Sequence, residues 1–281
     1  MAQQPAPPGT WDEDPDGASI LLATGRARHD LLIIAEPAFL RDLDQAWGRP
    51  AARVRLSFLP GVHAPVAPGQ EDALMSYERG GLGVLVARGR TSLYEGESAR
   101  STTALARIAS GARLRAALLI TRATPLAGSG GASGAGADGR SADPAPGQVR
   151  VVADHLNLSG GPLFPATGMV SAGWDATLTE RLGRLRGVSG SAVVALVPGP
   201  LRPSPAESRV LASMGADAAV TDSVAEAMAL ASRGVSVSAL AYLDAPAAGG
   251  NLGQAQLSLR QASGVTLAAV EEVLRSLQAG A

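Results

Sequence analysis

Residues 192–242 read AVVALVPGPLRPSPAESRVLASMGADAAVTDSVAEAMALASRGVSVSALAY, and the order of elements in this stretch decides the fold. Ala192–Val197 is apolar on both alternations, the pattern of a strand covered on both faces. Pro203-Ser204-Pro205-Ala206-Glu207 opens a helix. Ser204 stands at the N-cap, Pro205 at the first helical position and Glu207 three residues after the cap. Ala218–Thr221 is a second apolar run, and Ser223-Val224-Ala225-Glu226 repeats the capping-box pattern. Val235–Tyr242 supplies a third strand. Strand, helix, strand, helix, strand is the order of an α/β domain.

The same rhythm runs upstream. Leu31–Ala35, Val54–Phe58, Gly83–Ala87, Ala116–Thr121 and Val149–Ala153 are short runs rich in Val, Leu and Ile. Glu97–Ala112 and Trp174–Arg186 carry apolar residues at helical spacing. Val265–Gln278 closes the chain as a helix with Leu267, Val270, Val273, Leu274 and Leu277 on one face. The expectation is a single α/β domain over residues 18–281, with a central mixed β-sheet flanked by helices. Residues 1–17 are Pro-rich and acidic and read as a disordered tail. Residues 127–148 are Gly, Ala, Ser, Pro and Asp with almost no apolar bulk, a flexible insertion in the domain. Such a segment serves either as a tolerated surface loop or as a mobile lid.

Composition removes several chemistries. With 46% hydrophobic residues the chain can bury a core, so wholesale disorder is excluded. There is no Cys, hence no disulfide framework, thiol nucleophile or iron–sulfur cluster. All 24 basic residues are Arg, which removes a Walker-A lysine and a Schiff-base lysine. The three His, at 29, 63 and 155, lie too far apart for a histidine-rich metal motif. A net charge of −1 and 3% aromatic residues argue against a nucleic-acid partner. No apolar run reaches the roughly 20 residues of a membrane span, and no signal pattern opens the chain. The expected setting is a soluble cytoplasmic protein.

Five stretches carry a resemblance. They are Gly89-Arg90-Thr91-Ser92-Leu93-Tyr94-Glu95-Gly96, Asp154-His155-Leu156-Asn157-Leu158, Phe164-Pro165-Ala166, Pro198-Gly199-Pro200, and the run from Ala206-Glu207-Ser208 through Gly215-Ala216-Asp217-Ala218 to Ser223-Val224-Ala225-Glu226. In this order the chain, from about Ile20 to its end, resembles the trimeric purine nucleoside phosphorylases. The resemblance implies a phosphorylase-like α/β fold, a homotrimer and a small-molecule nucleoside or base as partner. It also implies phosphorolysis, in which phosphate displaces a purine from C1′. No cofactor is implied beyond inorganic phosphate as co-substrate. Such a reaction needs a phosphate clamp, contacts that hold the ribose, and a donor for the departing base.

Carried over position by position, the resemblance places Arg90, His63 and Glu95 at the phosphate, Tyr94 and Phe164 at the sugar, and Arg202 and Asp244 at the base. A guanidinium suits phosphate, which it binds bidentately; a surface Arg at a strand end is the other reading of Arg90. Glu95 matches a residue that organises the phosphate region. Tyr94 and Phe164 read equally as core-edge aromatics. His63 stands one position late for the family's Pro-Gly-His, here Pro60-Gly61-Val62. His155, in a loop after a strand, is read as architectural, and His29 as exposed.

Other positions depart from the pattern. The phosphate loop after the first strand reads Ala35-Glu36-Pro37-Ala38-Phe39, where a carboxylate and a missing N–H both oppose anion binding. The motif histidine is Ser92. The serine that closes the phosphate site aligns with Asp222, whose other reading, with Ser223, is helix N-capping. The purine-holding Phe-Glu reads Arg202-Pro203, the leaving-group asparagine falls at Asp244-Ala245, and the histidine near the start of the last helix aligns with Gly264. Two functions therefore stand open. One is a divergent pentosyltransferase with a degraded phosphate and base site. The other is an inactive family member that binds a ligand or pairs with another chain. If Arg90 and Tyr94 converge on an open cavity, ligand binding survives; if Glu36, Arg202 and Asp222 fill it by mutual pairing, it does not.

Overall fold

The computed structural model describes residues 17–126, 144–160, 170, 172–199, 202–244 and 252–280. Their strands form one nine-stranded mixed sheet. Its first half holds β1 (Leu31–Ile34), β2 (Ala52–Val54), β3 (Leu74–Arg79) and β4 (Leu82–Ala87). Its second half holds β5 (Ala116–Pro125), β6 (Val149–Asn157), β7 (Val188–Leu196), β8 (Ala218–Val220) and β9 (Ser236–Leu243). The order is β2-β3-β4-β1-β5-β8-β7-β6-β9, and β9 returns to pair with β5. Strands β5, β8, β7, β6 and β9 therefore close on themselves, while β2, β3 and β4 extend as a flap from β1.

Eight helices flank the sheet among the described residues: α1 (Ala18–Thr24), α2 (Arg41–Trp47), α3 (Ala99–Thr102), α4 (Ala104–Ser110), α5 (Ala176–Gly183), α6 (Pro205–Ser213), α7 (Val224–Ala231) and α8 (Leu252–Ala279). Strand β1 shows why the apolar runs lack polar alternation. Leu32 and Ile34 enter a core shared with Ile20, Ile108 and Leu230, while Leu31 and Ile33 enter one shared with Leu43, Leu182 and Val273. Helices α1, α4 and α7 thus cover one face, and α2, α5 and α8 the other. Both alternations are buried, so both must be apolar.

The single mixed α/β domain is as expected, and several details differ from the sequence reading. Val54–Phe58 splits into the end of β2 and a 3-10 turn at Leu56–Phe58. Strand β3 went unread, although Gly80-Gly81, at φ 55° and 81°, carries the tight turn that joins it antiparallel to β4. Helix α1 was also unread. Glu97–Ala112 breaks into α3 and α4 at Thr103. The Ser204 and Glu207 box forms as expected, each side chain accepting the other's backbone N–H. Ser223 does not cap α7: its φ is 64° and its hydroxyl donates to the Asp222 carbonyl. Residues 1–16 and 127–143 of the expected tail and insertion lie outside the described residues. Of the rest of the insertion, Gly147 donates to Leu243 O and Gln148 O accepts from Leu243 N, which fixes it to the end of β9. No described helix is long and apolar enough to cross a membrane.

Candidate functional site

Strands β4, β1, β5 and β9 are mutually parallel, so their carboxyl ends face one way. Open α/β sheets place ligand sites at such an edge. The chain leaves β4 through Arg88-Gly89-Arg90. Gly89 is required there: a Cβ would stand 2.6 Å from the Glu71 carbonyl oxygen. This close passage turns the Arg90 side chain inward under the strand ends.

Arg90 is 4% exposed and its guanidinium is occupied by the protein itself. Nη2 donates to the carbonyls of Ile34, at the end of β1, and Ile120 of β5, at 2.7 and 3.0 Å. Nη1 donates to Asp222 Oδ1 at 2.9 Å and lies 3.4 Å from Glu226 Oε2. The Thr121 hydroxyl donates to the same Asp222 oxygen. Burial works against the Arg90 charge, but Glu226 and Asp222 outweigh it and hold the guanidinium more firmly protonated than usual. The cost falls on Glu226. Burial pushes its carboxyl up to about 7, with Arg90 opposing and Asp222 adding to the rise. The pairing overturns the reading of Asp222 as an N-cap: its carboxylate faces the arginine.

A second group of charges adjoins the first. Both Glu36 oxygens accept from Arg122 Nε, at 2.9 and 2.8 Å. Burial raises the Glu36 pKa, and Arg122 works against the rise. The Arg122 guanidinium lies over the rings of Phe39 and Tyr242, 5.2 and 6.0 Å from their centroids. Its Nη1 is 3.6 Å from Asp244 Oδ2, and Arg202 Nη2 is 3.5 Å from the same oxygen. Glu36, Arg122, Asp244 and Arg202 thus form a chain from the end of β1 past the end of β9. Beyond Arg202, a cavity of about 630 Å³ opens beside α6.

The other candidates are placed elsewhere. Glu95 accepts from the backbone N–H groups of Val66, Ala67 and Ser92 at 3.0, 2.8 and 2.7 Å, so its carboxylate holds the 66–67 loop against the turn at Leu93–Glu95. His63 is half-exposed and pairs with Glu97 at 2.8 Å, apart from the Arg90 group. Tyr94 lies in the Leu93–Glu95 turn. The Tyr94 side chain and the whole of Phe164 lie outside the described residues. Gly264 falls inside α8 rather than near its start, where a Cβ would meet Asp42 at 3.3 Å.

Two histidine readings need correction. His29 is fully buried, not exposed: its Nε2 bonds Ser76 Oγ at 3.0 Å, and burial lowers its pKa to about 4. His155 lies within β6 rather than in a loop, where Nδ1 accepts from Trp174 Nε1 at 3.1 Å. The sequence reading missed Arg122, Thr121 and Glu226. An arginine following the apolar run 116–121 was the visible signal for Arg122. Glu226 was read only as half of a cap.

No family model matches the chain. Over 230 residues it is 30% identical to the purine nucleoside phosphorylases of Mycobacterium leprae and Mycobacterium tuberculosis, covering 80% of this chain and 80% of each relative. Among solved structures it is similar to isoform 2 of purine nucleoside phosphorylase from Schistosoma mansoni, solved with cytosine and ribose-1-phosphate, at TM-score 0.72 and 17% identity over 93% of this chain and 96% of that one. A Schistosoma mansoni purine nucleoside phosphorylase in complex with inosine superposes at TM-score 0.70 and 17% identity, covering 92% of this chain and 94% of that one. The fold follows from those superpositions and the lineage from the mycobacterial relatives: this chain belongs to the purine nucleoside phosphorylase family.

Proposed function

We propose that this chain binds a nucleoside or free base at the strand-end site without consuming inorganic phosphate, as a non-phosphorolytic member of its family. One observation carries the reading: Arg90, at the phosphate-arginine position, donates Nη1 to Asp222, has Glu226 3.4 Å away, and donates Nη2 to the carbonyls of Ile34 and Ile120. An anion brought within about 4 Å of a carboxylate meets repulsion on the order of 4 kcal/mol at an effective dielectric of about 20. Glu36 adds a further carboxylate where the family presents anion-binding backbone. Losing one donor to the developing charge of a transition state typically slows a reaction about 10²–10³-fold, and such losses do not simply multiply.

The test is phosphorolysis of inosine, guanosine and adenosine with and without phosphate, read as base release. The expected result is turnover lowered at least about 10²-fold from the level of the mycobacterial relatives. Phosphate-dependent turnover at their level would refute the reading. A residual pentosyltransferase activity is the second reading, favoured by the retention of Arg90 just past the end of β4. Assembly as a cytoplasmic homotrimer is proposed from the resemblance, and light scattering on the purified chain tests the trimer.

A further inference from the structure

The cavity beside α6 has the construction of a small-molecule site, with apolar walls and few polar groups. Leu158, Val197, Pro198, Val210 and Leu211 form the walls. The polar groups come from the turn at 202–207, and most are already used. Pro203 and Pro205 bring no N–H. The Ser204 N–H goes to Glu207 Oε2 at 2.7 Å, and the Glu207 N–H returns to Ser204 Oγ at 3.3 Å. The Glu207 carboxylate also lines the cavity, tied to the Ser204 N–H, and repels an anion, so an anionic edge is held only at the Arg202 end.

What remains is the Arg202 guanidinium. Its side chain is 45% exposed, and its contact with Asp244 is long, at 3.5 Å. A contact of that kind contributes little stability and is readily exchanged. Asp244 also has Arg122 at 3.6 Å, so Arg202 can leave without abandoning the carboxylate. A guanidinium offers five donors and no acceptor. It matches carbonyl and carboxylate oxygens and cannot satisfy a ring N–H.

We infer that this cavity takes a flat heterocycle carrying a negative charge, on carbonyl oxygens or on a carboxylate, with its ring on the apolar walls and its anionic edge on Arg202. Arg202 is then the residue that sets specificity. The inference rests on the proposed binding of a base and narrows it to acceptor-edged anions.

Calorimetric titration of the full chain with urate, orotate, hypoxanthine and inosine at pH 7.5 tests it. Urate or orotate binds more tightly than hypoxanthine or inosine. Arg202→Ala weakens the anionic ligand about 10- to 100-fold, the loss expected for a hydrogen bond to a charged group, and the neutral ones by less than about 10-fold, since their carbonyl makes only a neutral bond. Arg202→Lys recovers part of the affinity, since the charge remains but the fork is lost. The half-exposed position keeps the ligand-free melting temperature of both variants near that of the parent. If hypoxanthine and inosine bind best, or if Arg202→Ala leaves anion affinity unchanged, the inference fails and base binding itself still stands. If none of the four binds, both fail.

Discussion

Replacing Glu226 by Gln isolates the electrostatics of the buried arginine. Glu226 is 4% exposed, and one carboxylate oxygen has no hydrogen-bond partner among the described residues. An acid whose pKa rises on folding holds its proton more firmly in the folded state. The rise here is from 4.5 to about 7. Between those values the folded chain binds more protons than the unfolded one, so stability falls as pH increases. At about 1.4 kcal/mol per pH unit, the rise sums to roughly 3 kcal/mol lost by pH 8. Gln is isosteric with the protonated acid and does not titrate. Parent and variant therefore have similar stability at pH 4.5, and the variant is more stable by roughly 3 kcal/mol at pH 8. His29 acts in the opposite sense. Its pKa falls from 6.5 to about 4, so its contribution is present above pH 6.5 and lost on acidification. It is common to both proteins and cancels in the difference. Urea unfolding at pH 4.5, 6.5 and 8 gives the three differences. A variant that is less stable than the parent at pH 8 would mean that the ionised carboxylate is favoured beside Arg90, and the reasoning fails.

Two further outcomes follow from the same contacts. Arg90→Ala removes the cation paired with Asp222 and Glu226 together with the links to Ile34 and Ile120, and costs about 3–5 kcal/mol at pH 8 by urea unfolding. The cost shrinks at pH 5, where the stranded carboxylates protonate; a pH-independent cost would show that packing, not charge, is lost. Ser204→Ala removes the N-cap acceptor of α6 and lowers stability by about 1 kcal/mol in thermal unfolding, while Ser223→Ala, where no side-chain cap exists, has a smaller effect.

Much of the site was legible in residue identities and little in residue partners. Glu36 and Asp222 stood out because a carboxylate is out of place where a family holds phosphate. The sequence reading named Glu36, Arg202 and Asp222 as the group whose mutual pairing would fill the pocket; each pairs outside that group instead, with Arg122, Asp244 and Arg90 respectively. Asp222 meets Arg90 across 132 residues and Glu36 meets Arg122 across 86. Local pattern carries no information over such separations. Glu226 illustrates the difficulty, because the same Glu three residues after a Ser signals a capping box or, if its face turns inward, a buried acid. His29 failed for a related reason: a polar residue before a strand is exposed unless a neighbouring strand supplies a partner, as Ser76 of β3 does.

The sequence by itself determined most of the strands and helices and the burial of both sheet faces, because hydrophobic periodicity and capping chemistry act over a few residues and are written consecutively, and its motifs carried the family resemblance. Tertiary structure alone decided that Arg90 is neutralised from within, that Arg122 links Glu36 to Asp244 and that Arg202 faces a cavity. Those facts depend on which strand ends lie side by side, and charge is compensated through space rather than along the chain.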